Sequence, residues 1–261
     1  GSAYLPHLER VRRARGAALP PSATTDPLMY QGGSDDFLGP CDDAWFGSPT
    51  WGIDFEAELA VITGDVAMGA DAAQGLDGIR LLLLANDWSL RELVPAELAK
   101  GFGFVQSKPA TAFGPVAVTP DELGDAWQHG RVHLTLQSSV NGRKVGLNDA
   151  GPEMQFHFGE LIAHLAKTRN VRAGSIVGSG TVSNQDAAKG FGCIVERRAV
   201  EAVELGAPAT PYLAIGDTVR LEMTGRDGMS VFGAIVQRVA GPQADAPADP
   251  DNDPDSDDGD S

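Results

Sequence analysis

The segment Gly52-Ile-Asp-Phe-Glu-Ala-Glu-Leu-Ala-Val-Ile62 decides how the sequence around it folds. From Phe55 onward its apolar residues recur at every second position, which is the period of a β-strand. Asp54, Glu56 and Glu58 fall on the opposite face, where neighbouring side chains are about 6–7 Å apart. On a solvated face such carboxylates would not indicate a binding site. In a cleft their negative charges would need a cation nearby, and a hard divalent ion with oxygen ligands would meet that need. The strand alone leaves both interpretations open.

A second acidic position follows the next apolar run. Asp77–Leu84 is compatible with a buried strand or with the apolar face of a helix. Asp87 comes directly after this run, either as a site residue where a strand opens into a loop or as the N-cap of a helix over Glu92–Lys100. Further along the chain, Lys108 directly precedes a proline, which favours an extended backbone at the lysine.

The rest of the chain indicates short strands joined by hairpins, with few helices. Alternation over Arg131–Ser139 leads into Asn141-Gly142, a strong signal for a type I′ hairpin turn. Further strands are predicted at Ile176–Val182, Phe191–Glu196, Asp217–Thr224 and Ser230–Val239, and helices at residues 4–16 and Phe156–Asn170. We therefore predict a mixed α/β fold, mostly antiparallel β with a few peripheral helices, in one domain over residues 1–241.

Charge and composition narrow the classes of partner. The formal net charge is −16, but eight aspartates and no basic residues lie in 243–261, so residues 242–261 are predicted to be a disordered acidic tail. The acidic body offers no electrostatic footprint for nucleic acid, and no apolar run reaches the ~20 residues of a membrane span. Cys41 and Cys193 lack the spacing of a disulfide framework or zinc site, which favours a reducing, cytoplasmic location.

Four short motifs occur in a defined order: Glu56-x-Glu58, Asn86-Asp-Trp-Ser89, Ser107-Lys108 and Gly180-Thr-Val-Ser183. With these motifs the chain resembles the fumarylacetoacetate hydrolase family from its N-terminus to about Val239. That family has a mostly β fold of its own, is commonly dimeric and holds Mg²⁺ or Ca²⁺ on carboxylates. The resemblance therefore implies a homodimer with one of these ions, and a part in aromatic catabolism such as tyrosine degradation.

The resemblance also implies site residues. Its metal ligands match Glu56, Glu58 and Asp87, and its oxyanion-contacting lysine matches Lys108. The substrate-binding residues of the family are matched here by Tyr30, Arg91 and Thr181.

A His–Glu dyad distinguishes the branch of the family with fumarylacetoacetase activity. Its glutamate ends a Phe-Gly-x-x-x-Glu stretch, here Phe191–Glu196, and its histidine fits His7. In that branch an aspartate seven residues before the histidine is a fourth ligand. That position falls just before Gly1, so the resemblance implies an N-terminally truncated chain. Either truncation has removed this ligand, or metal binding here rests on three carboxylates plus water.

The implied activity is metal-dependent hydrolysis of a C–C bond in a β-diketo acid, either fumarylacetoacetate or an acylpyruvate, with water activated by the dyad. Two alternatives remain open. One is a 2-oxo acid decarboxylase, hydratase or isomerase acting on the same metal site. The other is a catalytically inert, truncated member of the family.

Overall fold

The computed structural model describes residues 2–14 and 16–242, so the predicted acidic tail lies outside the described residues from Gln243 onward. The described strands are β1 (Phe37–Leu38), β2 (Ala44–Trp45), β3 (Ile53–Asp54), β4 (Ala57–Thr63), β5 (Ile79–Asn86), β6 (Ser89–Leu90), β7 (Thr111–Phe113), β8 (Trp127–Gln128), β9 (Arg131–Val132), β10 (Thr135–Val140), β11 (Arg143–Asp149), β12 (Ile176–Gly178), β13 (Thr218–Met223) and β14 (Ile235–Ala240). The α-helices are α1 (Leu5–Ala14), α2 (Ala72–Asp77), α3 (Val94–Lys100), α4 (Phe158–Ala166) and α5 (Ile194–Leu205). Short 3₁₀ turns occur at Pro49–Trp51, Pro120–Ala126 and Ala187–Lys189.

Two five-stranded sheets form the framework. The first has the order β1-β7-β5-β4-β12 and the second β11-β10-β13-β14-β2. Within them only the β1–β7 and β14–β2 pairs are parallel, so the predicted mixed, mostly antiparallel architecture is confirmed. The β10–β11 hairpin turns at Asn141 and Gly142, whose positive φ angles of 50° and 72° are those of the predicted type I′ turn.

The main core contains the inward faces of both sheets. Leu59 of β4, Leu84 of β5 and Leu221 of β13 are all buried in it. The other face of the first sheet carries a smaller apolar cluster that includes Ala60 and Ala85. Because side chains alternate along a strand, the acidic positions of the Gly52–Ile62 segment share this second face.

The pairing of β4 with β5 explains how the acidic residues meet. Ala57 lies opposite Asn86 and Glu58 opposite Ala85 in the antiparallel register. Continued by one residue, this register places Asp87 opposite Glu56, and the Asp87 N–H donates to the Glu56 carbonyl at 3.1 Å. The apolar run before Asp87 is therefore the strand alternative rather than a helix, and α3 has Leu93 at its N-cap rather than Asp87.

One predicted element is wrong. The sequence predicts a strand over Phe191–Glu196, but Cys193 is the N-cap of α5, and Glu196 lies in the first turn of that helix. The Asp54 carboxylate accepts the N–H groups of Ile194 and Val195 at 2.7 and 3.0 Å. The first N–H groups of a helix have no partner within the helix, so the buried Asp54 carboxylate stabilises the start of α5. The local sequence contains no capping signal that predicts this start.

None of the helices in the described part of the chain combines the length and the apolar character required to cross a bilayer.

Candidate functional site

Three carboxylates form a compact, buried cluster at the end of the β4–β5 pair. Glu56, Glu58 and Asp87 each offer an oxygen, and these oxygens lie within 4.8 Å of one another. Each residue is no more than 6% exposed. We call these three residues the carboxylate triad. Oxygen donors at this spacing are the ligand type that hard divalent cations prefer.

Nearby cations neutralise the charge of the three triad carboxylates unequally. Burial alone would raise the pKa of Glu56, but Lys108 and Arg91 hold it well below its ordinary value. Burial raises the pKa of Glu58 well above its ordinary value, and the charges of Asp87 and Glu56 add to the effect. Glu58 is therefore the triad member that favours its protonated form, and a cation bound at the triad would take the place of that proton.

Lys108 connects two of the triad carboxylates. Its Nζ lies 2.9 Å from both Glu56 Oε2 and Asp87 Oδ2, and it donates to Ser89 Oγ at 2.6 Å. These acceptors match the three donors of an ammonium group. Burial would lower the pKa of Lys108, but Asp87 and Glu56 raise it above its ordinary value, so the side chain stays charged.

The loop before Lys108 is fixed by Glu97 of α3. The Glu97 carboxylate accepts the N–H groups of residues 105–107 at 2.8 to 3.0 Å and the Ser107 hydroxyl at 2.5 Å. Burial acts to raise the pKa of Glu97, but these hydrogen bonds lower it to about 2. Glu97 is thus ionised at neutral pH and holds the loop from which Lys108 reaches the triad.

Tyr30 and Thr111 hold Asp87. The Tyr30 hydroxyl donates to Asp87 Oδ2 at 2.7 Å, and Thr111 Oγ1 donates to Oδ1 at 3.1 Å. Both line a cleft of about 900 Å³ that also reaches Asp87 and Glu58 and is closed on another side by residues 167–178. The predicted tyrosine of the substrate loop therefore lies in a cleft that leads to the triad.

His7 and Glu196 form the predicted pair. His7 Nδ1 lies 2.9 Å from Glu196 Oε1, although 189 positions separate the two residues. Glu196 is fully buried, whereas the His7 side chain is 16% exposed. Neither residue of the pair lines the cleft. Glu196 is connected to the triad through the start of its helix, which Asp54 binds, and through Arg91, which pairs with both Asp54 and Glu56.

Arg10 fixes the helix that carries His7. Its guanidinium donates to Ser183 Oγ at 2.9 Å and to the Asn184 carbonyl at 2.6 Å. The same group lies 3.6 Å from Glu196 Oε2, on the carboxylate edge away from the histidine. Helix α1 is thereby fixed to the loop that follows the Gly180-Thr181 motif.

Arg91 and Asp54 join the two halves of the site. Arg91 pairs with Asp54 Oδ2 and with Glu56 Oε1, each at 2.8 Å. Asp54 in turn binds the first turn of α5, which carries Glu196. The guanidinium predicted to approach substrate is thus engaged by carboxylates, and it links the triad to the helix of the dyad.

Thr181 carries a buried hydroxyl. The residue is 3% exposed, and within residues 2–14 and 16–242 its Oγ1 has no hydrogen-bond partner. The preceding Gly180 donates its N–H to Glu58 Oε2 at 3.0 Å, which places the threonine next to the triad. A buried hydroxyl without a partner is costly unless a ligand satisfies it.

Sequence reasoning missed several residues of the site. Ser89, Thr111, Arg10 and Asp54 contact the predicted residues directly. Two of them carry a sequence signal: Asp54 shares the strand face of Glu56 and Glu58, and Ser89 ends the Asn86-Asp-Trp-Ser89 motif. Cys193, which lacks the sequence spacing of a disulfide framework or zinc site, has its Sγ 3.9 Å from His7 Nδ1. Burial and the carboxylates of Glu196 and Asp54 raise the pKa of this thiol well above its ordinary value.

Comparison with known proteins gives a family match over nearly all of the described chain. Residues 1–240 match the family described as fumarylacetoacetate (FAA) hydrolase C-terminal. A protein from Burkholderia ambifaria with a provisional hydrolase designation is 26% identical over 203 residues, which cover 77% of this chain and 63% of the relative. The 2,4-didehydro-3-deoxy-L-rhamnonate hydrolase of a Sphingomonas species is 26% identical over 160 residues, covering 60% of this chain and 53% of that enzyme. The chain thus spans less than two thirds of the length of these relatives.

Solved structures share the fold. The fumarylpyruvate hydrolase of Pseudomonas aeruginosa, solved with Mn²⁺ and pyruvate, has a TM-score of 0.66 at 15% identity, over 92% of this chain and 87% of that one. The 2-hydroxyhepta-2,4-diene-1,7-dioate isomerase of Mycobacterium marinum has a TM-score of 0.60 at 19% identity, over 84% and 71% of the two chains. At these identities the likeness establishes the architecture, which hydrolases and isomerases both use.

Proposed function

We propose that this chain, which belongs to the fumarylacetoacetate hydrolase family, hydrolyses a C–C bond in a β-diketo acid such as fumarylacetoacetate or an acylpyruvate. One observation carries the proposal: the His7–Glu196 pair is connected through Asp54 and Arg91 to three buried carboxylates that can bind a cation. A base for water and a charged centre for the substrate oxygens are the two requirements of such a hydrolysis.

The carboxylate triad fits a divalent cation. Glu56, Glu58 and Asp87 are oxygen donors of the kind that Mg²⁺, Ca²⁺ and Mn²⁺ bind, and the raised pKa of Glu58 indicates excess negative charge at the site. The likeness in fold to an enzyme solved with Mn²⁺ supports a divalent ion here. When bound, the cation would supply Lewis-acid polarisation of the substrate oxygens and stabilise developing negative charge. We propose Mg²⁺ or Ca²⁺ as the resident ion.

His7 is the proposed general base. An ionised carboxylate accepts hydrogen bonds and cannot donate them, so Glu196 fixes the His7 proton on Nδ1 and leaves Nε2 free. Nε2 takes a proton from water, and the water oxygen bonds to the carbonyl carbon. The C–C bond then breaks with its electron pair on the departing carbon, which receives a proton. One carboxylic acid and one shorter oxo acid result: a 2-oxo acid from an acylpyruvate, or a 3-oxo acid from fumarylacetoacetate.

The remaining predicted residues bind and orient the substrate. Thr181 would donate its unpartnered hydroxyl to the substrate carboxylate. Lys108 pairs with Glu56 and Asp87, and if these carboxylates held a cation its ammonium would be available to an oxyanion. Tyr30 orients Asp87 at the wall of the cleft, and Arg91 keeps Glu56 in place from the opposite side.

The test is a panel of acylpyruvates and fumarylacetoacetate, assayed with and without Mg²⁺, Ca²⁺ or Mn²⁺. We expect equal amounts of two acids, formed only when a cation is present. The variant His7→Ala should lose about 10²- to 10⁴-fold in turnover, the scale of a general base, and should still bind Mn²⁺. His129→Asn is a matched control, because His129 is an exposed turn residue at φ 51°, which asparagine tolerates.

The product pattern separates the alternatives. A decarboxylase, hydratase or isomerase would release CO₂ or one rearranged or hydrated acid, and His7→Ala need not affect it. An inert chain would give no product with any cation. Full hydrolytic activity of His7→Ala would contradict the dyad while leaving the metal-dependent reaction standing.

We further propose that the chain acts as a homodimer in the catabolism of aromatic compounds. The Phe37 ring, 46% exposed, packs edge-on against Phe113 at the border of the first sheet and provides an apolar contact surface. Light scattering on the eluting protein should give about twice the chain mass of 27.3 kDa. A mass of one chain at micromolar concentration would contradict the dimer.

A further inference from the structure

His7, Cys193 and Glu196 form a second cluster of ligand atoms. A ring nitrogen, the thiol sulfur and a carboxylate oxygen lie within 4.8 Å of one another. The donors differ from those of the carboxylate triad, which offers oxygens alone. We call these three residues the mixed-donor cluster.

The distances of the mixed-donor cluster are close to those of a tetrahedral site. Zn–N, Zn–S and Zn–O bonds of about 2.0, 2.3 and 2.1 Å at tetrahedral angles give about 3.5 Å between nitrogen and sulfur and about 3.4 Å between nitrogen and oxygen. His7 Nδ1 is 3.9 Å from Cys193 Sγ and 2.9 Å from Glu196 Oε1. Side-chain shifts of about half an ångström would therefore make room for an ion.

Two further features favour a cation at this position. Glu196 Oε2 is buried and has no hydrogen-bond partner among the described residues; the Arg10 guanidinium lies 3.6 Å away, beyond hydrogen-bond distance, so this oxygen can still bind a ligand. Cys193 is the N-cap of the twelve-residue helix α5 and forms no side-chain cap bond. Burial and the carboxylates of Glu196 and Asp54 raise the pKa of this thiol well above its ordinary value, so a bound ion would replace its proton. A thiolate ligand selects zinc-like ions over Mg²⁺ or Ca²⁺.

We propose that the mixed-donor cluster binds a thiophilic divalent cation such as Zn²⁺, with three protein ligands and water in the fourth position. As the ion binds, the Cys193 thiol releases its proton to solvent and the Nδ1 proton of His7 moves through solvent to Nε2. The His7–Glu196 hydrogen bond is then replaced by bonds to the ion. If the proposed function is right, an ion bound here removes the general base and inhibits the enzyme. Binding itself does not depend on that function.

Cd²⁺ titration followed by the ultraviolet thiolate-to-Cd²⁺ charge-transfer band tests binding without any turnover. The folded chain is titrated in excess Mg²⁺, so that the hard-cation site is occupied. We expect one equivalent to saturate the band in the parent chain. Cys193→Ser should abolish it, and serine is itself a favourable N-cap, so the helix start is kept. Cys41→Ser is the matched control, because Cys41 is the exposed free cysteine.

A second variant distinguishes a built site from a lone thiol. His7→Ala leaves the thiol and the N-cap unchanged and should weaken Cd²⁺ by about tenfold or more, the scale on which even outer partners of a metal act. Zn²⁺ should displace Cd²⁺ from the parent chain. The proposal is overturned if the parent chain gives no band, if Cys41→Ser removes it, or if His7→Ala binds Cd²⁺ as tightly as the parent.

Discussion

Replacing Glu196 by glutamine tests the proposed dyad with almost no change of shape. Glu196 accepts from His7 Nδ1 at 2.9 Å and is fully buried. A glutamine amide can donate through its NH₂ group, which favours the tautomer with the proton on Nε2. In that tautomer His7 cannot take a proton from water, and the imidazolium formed during the reaction loses its counter-charge.

The size of the effect follows from the geometry. At 2.9 Å, and with an effective dielectric constant of about 20, Coulomb's law gives about 6 kcal/mol between the carboxylate and protonated His7. Arg10 lies 3.6 Å away on the other carboxylate edge and neutralises part of the Glu196 charge, which weakens the attraction between Glu196 and protonated His7. We therefore expect Glu196→Gln to lose about 10²- to 10⁴-fold in kcat, the usual range for a general base.

The assay is steady-state hydrolysis of an acylpyruvate, with Mn²⁺ affinity measured separately by calorimetry. Glu196→Gln should lower kcat while Mn²⁺ affinity stays within about twofold, since the cation rests on the carboxylate triad. Glu204→Gln, an exposed position on the same helix, controls for the loss of one charge. Unchanged kcat in Glu196→Gln, with the variant folded, would refute the dyad.

Three further predictions concern the triad and its support. Glu58→Gln should abolish the rise in Tm that Mn²⁺ gives the parent chain, because a ligand that binds only the folded state stabilises it; an equal rise would contradict the ligand assignment. Lys108→Met should bind Mn²⁺ more tightly in calorimetry, because a competing cation 2.9 Å from Glu56 and Asp87 is lost. The same variant should hydrolyse poorly, because the ammonium proposed to contact the oxyanion is missing. Weaker Mn²⁺ binding would contradict this prediction. Glu97→Gln should lower the free energy of unfolding in urea by about 1–3 kcal/mol at pH 7. The pKa of Glu97 falls from 4.5 to about 2 on folding, so its contribution is present above pH 4.5 and is lost as the pH falls toward 2; a difference between variant and parent that persists at pH 2 would exclude this origin.

The sequence predicts the part of the site that depends on strand period and ordered motifs. Alternation places Glu56 and Glu58 on one face, and Asp87 follows a run of strand length. The β4–β5 register, which alternation cannot supply, puts Asp87 beside Glu56. The short distance between His7 and Glu196 cannot be predicted from local sequence patterns either, since it depends on how α1 packs on α5.

The error at Phe191–Glu196 has a specific physical cause. Ile194 and Val195, directly before Glu196, are β-branched and apolar, which favours a strand on local propensity. In the structure, Asp54 supplies the missing acceptors for the first amides of α5 from a strand about 140 residues earlier. A helix start made by a distant side chain leaves no capping signature in its own sequence.

The charges around the site explain why a divalent ion suits it. Four buried carboxylates, Asp54 and the carboxylate triad, face the two buried cations Arg91 and Lys108. With all carboxylates ionised the group carries two excess negative charges, which burial makes costly. The raised pKa of Glu58 reflects the same excess negative charge, because protonating this carboxylate removes one of the negative charges. A divalent cation would neutralise the remainder. Asp54 would stay outside its ligands, because its oxygens are held by Arg91 and the start of α5.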